Sequence, residues 1–284
     1  QKLVDQGHTV CVLTQALTGG ELKIPGLSYL VGDPNVRGKW QDAVKDYEII
    51  INLAGASIFS RWTDERKKIL LESRINTTRH LVEALPADAS RVLFFSTSAV
   101  GYYGFHEDEE LTESSPAGGD FLARLAAGWE AEALRAKEKG ARVVITRFGI
   151  VLGPDGGALG QMIPLFKFFL GGPLGSGRQW FSWVHLQDLT AAFLFLIGHP
   201  EISGAVNVCS PQPVTNRELG NAIGRVLHRP SFLPAPGFMI KLILGEFGSV
   251  LLKGQRVIPR RLLDAGFRFS YPDIDGALRS IIKP

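Results

Sequence analysis

The densest grouping of side chains suited to chemistry is Ser96-Thr97-Ser98, followed by Ala99-Val100-Gly101-Tyr102-Tyr103-Gly104. Hydroxyls at a strand end, with glycine and tyrosine after them, can hydrogen-bond a substrate or a cofactor amide. The same hydroxyls can also satisfy local backbone in a turn. A second grouping is Asn52-Leu53-Ala54-Gly55. Small residues there let a ring or a phosphate-bearing ligand approach the backbone, and a tight strand-to-loop turn would need the glycine equally. A third is Arg178, on the loop Gly175-Ser176-Gly177. It is suited either to clamping an anionic substrate or to an ordinary solvated position. His185 and Asp188 lie three apart at a helix start. Asp188 suits an early-turn carboxylate and His185 a packed position, so both read as structural. No His/Cys grouping has metal spacing. No Gly-x-Ser-x-Gly elbow points to a hydrolase.

The elements that must position these groups alternate. Strand candidates are 9–14, 27–31, 49–53, 91–96 and 142–147, short Val/Ile/Leu/Phe runs apolar on both faces, as a covered parallel sheet requires. Helical stretches fall at 37–45, 63–85 and 121–139. Thr63 is a suitable N-cap, Pro86 stops the long helix, and Gly140 ends the next after Lys137 and Lys139. The pattern predicts an α/β fold with a doubly wound, Rossmann-type parallel sheet. Ligands bind such sheets beyond the carboxyl ends of the strands, which favours the functional reading of Ser96–Gly104. From about Gly153 the texture changes to long Gly-rich loops. A helix at 186–197, a strand at 205–209 and a capped helix from Thr215 to Leu227 follow. Beyond them, Pro turns alternate with short amphipathic helices, predicting a smaller α+β lobe interleaved with the sheet.

Composition narrows the classes. The chain has 284 residues, 45% of them apolar, and a net charge of +3 with scattered basic residues. No basic stripe argues for nucleic acid. Two cysteines, Cys11 and Cys209, fit buried reduced thiols. No apolar run is long enough for a membrane span, and no signal-peptide pattern opens the chain. The expected setting is cytoplasmic, with a small-molecule substrate and neither nucleic acid nor membrane as partner. The oligomeric state stays open, a homodimer being one option. Residues 1–8 read as the end of a helix with Gly7 at its C′ position. A chain opening in mid-helix is expected to have lost what preceded it.

Taken together, Asn52–Gly55, 95–104, 147–154 and 183–188 resemble the extended short-chain dehydrogenases/reductases of the nucleotide-sugar epimerase type. The tail Leu252-Lys253-Gly254-Gln255-Arg256-Val257-Ile258-Pro259, with Leu263-Asp264-Ala265-Gly266-Phe267, Gly119-Asp120-Phe121 and Trp129-Glu130, resembles its atypical "epimerase family" branch. That resemblance covers essentially the whole chain. It implies an NAD(P)-dependent oxidoreductase or epimerase acting on a small or nucleotide-sugar-like substrate. It also implies a cofactor domain of residues 1–152 with about 183–210, and a substrate lobe of 153–182 and 211–284. Some members of the branch are labelled cell-division-inhibitor-like. The alternative is therefore a catalytically weak nucleotide-binding regulator, linked to cell division.

Two departures from the family pattern matter. The family's Gly-rich loop follows the first strand and cradles pyrophosphate at a helix N-terminus. Neither G-x-G-x-x-G nor G-x-x-G-x-x-G occurs here. A chain starting in the second half of that helix is expected to lack the first strand and the cradle. Weaker cofactor binding and an unstable, exposed sheet edge should follow. The family also uses a serine with Tyr-x-x-x-Lys, the lysine lowering the phenol pKa for proton exchange. None of the five tyrosines here has a lysine four residues on; Phe121 and Arg124 stand in that region. The resemblance leaves Ser98 as the serine equivalent and Tyr102 or Tyr103 as a source of a phenol. It implies a cofactor wall of Thr14, Gln15, Leu53, Ala54, Gly55, Arg74, Ser96 and Val151, with Arg178 toward substrate. Many relatives carry arginine where Gln15 stands, suiting a 2′-phosphate. The cofactor expected is NADP or NAD, NADP slightly preferred.

Overall fold

The computed structural model describes residues 1–154 and 156–282. Asp155 of the first Gly-rich loop, and Lys283 and Pro284 of the tail, lie outside the described residues. In chain order the first half comprises α1 (Lys2–Asp5), β1 (Val10–Thr14), β2 (Leu27–Val31), α2 (Trp40–Val44), β3 (Ile49–Asn52), α3 (Asp64–Ala84), β4 (Leu93–Ala99), β5 (Glu110–Leu111), α4 (Phe121–Leu134), β6 (Arg142–Phe148) and β7 (Ile150–Leu152). Then follow α5 (Gly157–Lys167), β8 (Trp180–Phe181), β9 (Trp183–His185), α6 (Leu186–Ile197), β10 (Gly204–Val208), β11 (Val214–Thr215) and α7 (Asn216–Leu227). The tail holds α8 (Gly237–Leu244), α9 (Glu246–Leu251), β12 (Arg256–Val257), α10 (Arg260–Asp264) and α11 (Ile274–Ile281).

The architecture is the expected Rossmann-like one. Strands β10-β6-β4-β3 form a parallel sheet, and β1 pairs β2 in a second parallel ladder. Successive side chains of a strand point to opposite faces, which explains the unbroken apolar runs. Phe94, Val143 and Ile145 pack under α3 and α4 with Leu81, Val82 and Ala133. Phe95, Val144 and Val206 pack under α6 with Leu189, Ala192 and Leu196. Leu13, Leu30 and Ile50 all reach the first of these cores. The neighbouring Cys11 thiol and burial push the Tyr47 phenol up.

Helix boundaries follow local chemistry. The Thr63 hydroxyl accepts from the Arg66 amide, and α3 stops two residues before Pro86. Thr215 and Glu218 form a reciprocal capping box on α7. Gly140 takes a left-handed conformation, φ 86°, which glycine alone adopts freely. The helix expected over 121–139 tightens at Arg135–Lys139 into a 3-10 turn. There Lys139 Nζ donates to the carbonyls of Val82, Glu83 and Leu85 at the end of α3.

The strand expected to end at Ser96 continues to Ala99. Ser98 pairs with Arg147 and Ala99 with Phe148 in register with β6. Ser96, Thr97 and Ser98 are therefore ladder residues with alternating side chains rather than a hydroxyl-rich turn. The smaller lobe is built on Leu152, Leu159, Trp183, Leu219, Ile223 and Leu278. Asp188 ties the tail to α6 by accepting from the Ser270 and Tyr271 amides at 2.8 and 2.9 Å. His185 caps α6, accepting from the Gln187 amide, and stacks on Tyr271 at 3.9 Å. Both residues are structural, as expected.

Candidate active site and cofactor wall

At the carboxyl end of β4 lies a buried polar network. Ser98 Oγ donates to Glu130 Oε1 at 2.6 Å. Glu130 is bridged in a two-pronged fork by Arg147, Nε to Oε1 at 2.8 Å and Nη2 to Oε2 at 2.7 Å. Arg147 Nη1 also donates to the Tyr103 hydroxyl at 2.9 Å, which donates to Asn207 Oδ1 at 2.6 Å. The Arg147 guanidinium lies 3.4 Å from the centroid of the Tyr102 ring. Burial alone would push Arg147 down, but Glu130 and Tyr103 outweigh it and hold the guanidinium above its ordinary value. Burial pushes the Tyr103 phenol far up, against the opposing pull of Arg147 and Asn207.

The network already engages the hydroxyls of two of the three expected catalytic residues, Ser98 and Tyr103. Ser98 is buried and Tyr103 fully so, and both hydroxyls are committed inside the network. Tyr102 is half-buried, and among the described residues its phenol makes no hydrogen bond. Two glycines allow this arrangement. An added Cβ on Gly118 would lie 2.5 Å from the Tyr103 carbonyl oxygen, and Gly104 sits at φ 73°. The Gly118 amide donates to the Tyr102 carbonyl at 2.9 Å, so close backbone contact fixes both tyrosines.

The second wall lies past β3. Asn52 donates to Thr78 on α3 at 2.9 Å and accepts from the Ala54 amide at 3.2 Å. Leu53 is exposed at 62%. Arg74 reaches from α3 over this turn, donating to the carbonyls of Leu70 and Ala56 at 3.2 and 3.1 Å. A Cβ on Gly55 would lie 3.0 Å from its Cζ. Burial and the neighbouring Arg66 both push Arg74 down, and no carboxylate among the described residues pairs with it. Arg66 hydrogen-bonds Ser57 and Ser60. Arg74 also lies 5.3 Å from the Trp129 ring centroid, one residue from Glu130. Helix α4 thus joins this wall to the Ser98 network.

The other expected wall residues are dispersed. Thr14 Oγ1 donates to the Ala16 carbonyl, and Gln15 donates to Asp33 Oδ1 at 3.0 Å, bridging the ends of β1 and β2. The Ser96 and Thr97 hydroxyls are buried without a partner among the described residues. Val151, on β7, packs against the core under α6. Arg178 is exposed beside α7, and no contact brings it to Ser98. Near the start of α4, Trp62, Phe105, Phe121 and Lys253 line a cleft of about 180 Å³. Glu130 went unrecognised in the sequence as a site residue, although it falls on the buried stripe Ala126, Trp129, Glu130, Ala133 of α4. Asn207 carried no local signal, since its partner lies 104 residues away.

A parallel doubly wound sheet with a half-buried guanidinium over a glycine turn fits a dinucleotide-binding type of protein. Residues 1–209 match the NAD dependent epimerase/dehydratase family, and 235–281 match the Domain of unknown function (DUF1731). The chain belongs to the NAD dependent epimerase/dehydratase family, as the motif resemblance implied. It is 41% identical to the Epimerase family protein SDR39U1 homolog, chloroplastic, of Arabidopsis thaliana, over 100% of this chain and 82% of that protein. It is 38% identical to Epimerase family protein YfhF of Bacillus subtilis (strain 168), over 99% and 92%. The crystal structure of human epimerase family protein SDR39U1 (isoform2) with NADPH superposes with a TM-score of 0.84 at 32% identity, covering 99% of this chain and 92% of that one. A UDP-glucose 4-epimerase complex with NAD from Thermus thermophilus shares the fold, at a TM-score of 0.76 and 19% identity, covering 99% and 92%.

Proposed function

We propose that this chain binds a nicotinamide dinucleotide, NADPH in preference to NADH, along the carboxyl ends of β3 and β4. In this reading it acts as an oxidoreductase or epimerase on a small or sugar-like substrate. The observation that carries the reading is Arg74: a half-buried guanidinium without a carboxylate partner among the described residues, held over Ala54–Gly55. Partial burial, which already pushes this guanidinium down, leaves it short of a counter-charge, and an anionic phosphate beside Gly55 would supply one. The unpartnered Ser96 hydroxyl, on the same face of β4 as Ser98, fits the polar half of the same ligand. The NADPH held by the human relative supports the choice of cofactor.

When bound, the nicotinamide supplies or accepts hydride. The protein's part is to place substrate and move a proton. Tyr102 is the proton donor, since its phenol is the one the network leaves unpaired. Ser98, Glu130, Arg147 and Tyr103 are positioning residues that fix the Tyr102 ring against the guanidinium. Arg178 would reach substrate only through the outer lobe. The regulator reading draws on the absence of a Tyr–Lys pair and on the engagement of Ser98 with Glu130.

Titration with NADPH and NADH, followed by turnover against carbonyl and nucleotide-sugar compounds, separates the readings. Binding with turnover that Tyr102→Phe abolishes supports the enzyme. Tight binding without oxidation of NADPH by any compound supports the regulator. Absence of dinucleotide binding refutes both.

A further inference from the structure

The outer lobe carries an apolar face unlike the rest of the surface. Phe168, Phe232, Phe238 and Leu242 are exposed at 75%, 72%, 73% and 75%. Phe169, Leu170, Met239 and Ile243 beside them are also open to solvent. The groups are joined structurally. Residues 171–175 run alongside 233–237, with the Leu233 amide donating to the Gly171 carbonyl and the Gly175 amide to that of Ala235. The exposed turn 168–170 and Phe232 flank one end of this pairing, and α8 leaves the other. In α8, Phe238 and Leu242, and Met239 and Ile243, are each four apart, so they share one side of the helix, while Ile240 is buried. Phe169 is held at φ 62°, with the Arg229 guanidinium 4.8 Å from its ring centroid. A monomeric protein rarely exposes so many large apolar side chains on neighbouring segments without a partner.

The charges say what kind of partner. Stretches 157–178 and 219–245 contain no aspartate or glutamate. Their exposed Lys167, Arg229 and Lys241 form no ion pair among the described residues. Beside Phe232 opens a cleft of about 590 Å³ lined by Arg225, His228, Arg229 and Ser231. The Ser231 hydroxyl in it is buried without a partner. A second copy of this chain would place the same basic rim against itself, because a two-fold contact is self-complementary. Apolar residues ringed by cations match the acyl boundary and anionic headgroups of a lipid surface.

We propose that this face docks the protein peripherally on an anionic lipid bilayer. Phe168, Phe232, Phe238 and Leu242 enter the acyl boundary, and Lys167, Arg229 and Lys241 lie against headgroup phosphates. No helix among the described residues is long and apolar enough to cross a membrane, and docking needs none. The expectation that no membrane partner exists, drawn from the lack of a span, did not consider such a face.

The test is flotation of the protein with vesicles of phosphatidylcholine alone, or with about a third phosphatidylglycerol. Partition onto the anionic vesicles should exceed that onto neutral ones at least ~tenfold and fall with added salt. Leu242→Asp with Ile243→Asp should abolish it. Lys167→Glu, Arg229→Glu and Lys241→Glu together should erase the anionic preference. All five positions are exposed, and an unchanged melting temperature confirms that each variant folds. No flotation on anionic vesicles overturns the proposal. So does binding indifferent to both lipid charge and the lysine and arginine changes. A concentration-dependent dimer, formed without lipid and lost in the Asp double variant, overturns it in favour of self-association.

Discussion

Replacing Glu130 by leucine tests the Ser98 network most directly. The side chains of Arg147 and Glu130 retain only 5% and 8% of their exposure, so solvent screening does little to soften the loss. Glu130→Leu keeps the volume but strands the Arg147 guanidinium and removes the acceptor of Ser98 Oγ. Breaking a buried pair by removing one partner costs about 3–5 kcal/mol. With an unfolding entropy of about 2.1 cal/mol/K per residue, a chain of this length loses about 0.6 kcal/mol per degree near its midpoint. The expected fall in melting temperature is therefore about 5–8 °C, read by calorimetry. Adding Arg147→Met removes the second charge and should restore most of that loss, since apolar replacement of a whole buried pair is often neutral. A single-variant drop below about 2 °C, or a double variant less stable than the single, would refute the account.

Three further outcomes follow from the geometry. Arg74→Ala should weaken NADPH binding at least ~tenfold by titration calorimetry, because the proposed charge-assisted phosphate contact would be lost; unchanged affinity would refute the assignment of Arg74 to the cofactor wall. Burial holds the His185 imidazole below its ordinary value, so the unfolded chain binds the proton more readily. Its contribution is complete above the unfolded value of about 6.5 and declines as pH falls from there toward the lower folded value. The melting temperature should drop between about pH 7 and pH 5, and His185→Asn should flatten that drop. Gly118→Ala should cost about 1–3 kcal/mol by denaturant unfolding, because its Cβ meets backbone rather than a movable side chain; a neutral result would mean the Tyr103 turn shifts without strain.

Legibility in the sequence depended on the range of the interaction. Helices α6 and α7 could be read to the residue, because apolar period, cap and stop all lie within the segment. Strands β2, β3 and β6 were visible because a sheet covered on both faces needs continuous apolar runs. The two-residue strands β5, β8, β11 and β12 were not, since two residues carry no period and their partners lie far along the chain. The end of β4 was misjudged for a related reason. Ser96-Thr97-Ser98 read as hydroxyls at the close of a strand ending at Ser96, yet Thr146 and Arg147 opposite extend the ladder to Ala99. Glu130 was readable in principle. A carboxylate at the third position of the spacing Ala126, Trp129, Glu130, Ala133 faces the core and must find a cation there.

That misjudged strand end is also where this site departs from the Tyr–Lys plan. In that plan a lysine ammonium, mobile and readily shifted, serves the phenol. Here the cation is Arg147, planar, permanently charged and locked by Glu130 at two points, so it can orient Tyr102 but not relay a proton. A phenol served this way depends on solvent or substrate to replace its proton. The Glu130→Leu, Arg147→Met variant separates the network's two roles. If the network serves the fold alone, restored stability should bring turnover back with unchanged kcat. If it fixes Tyr102, stability should recover while kcat stays depressed and dinucleotide affinity, which the proposed reading assigns to Arg74 on the other wall, stays the same.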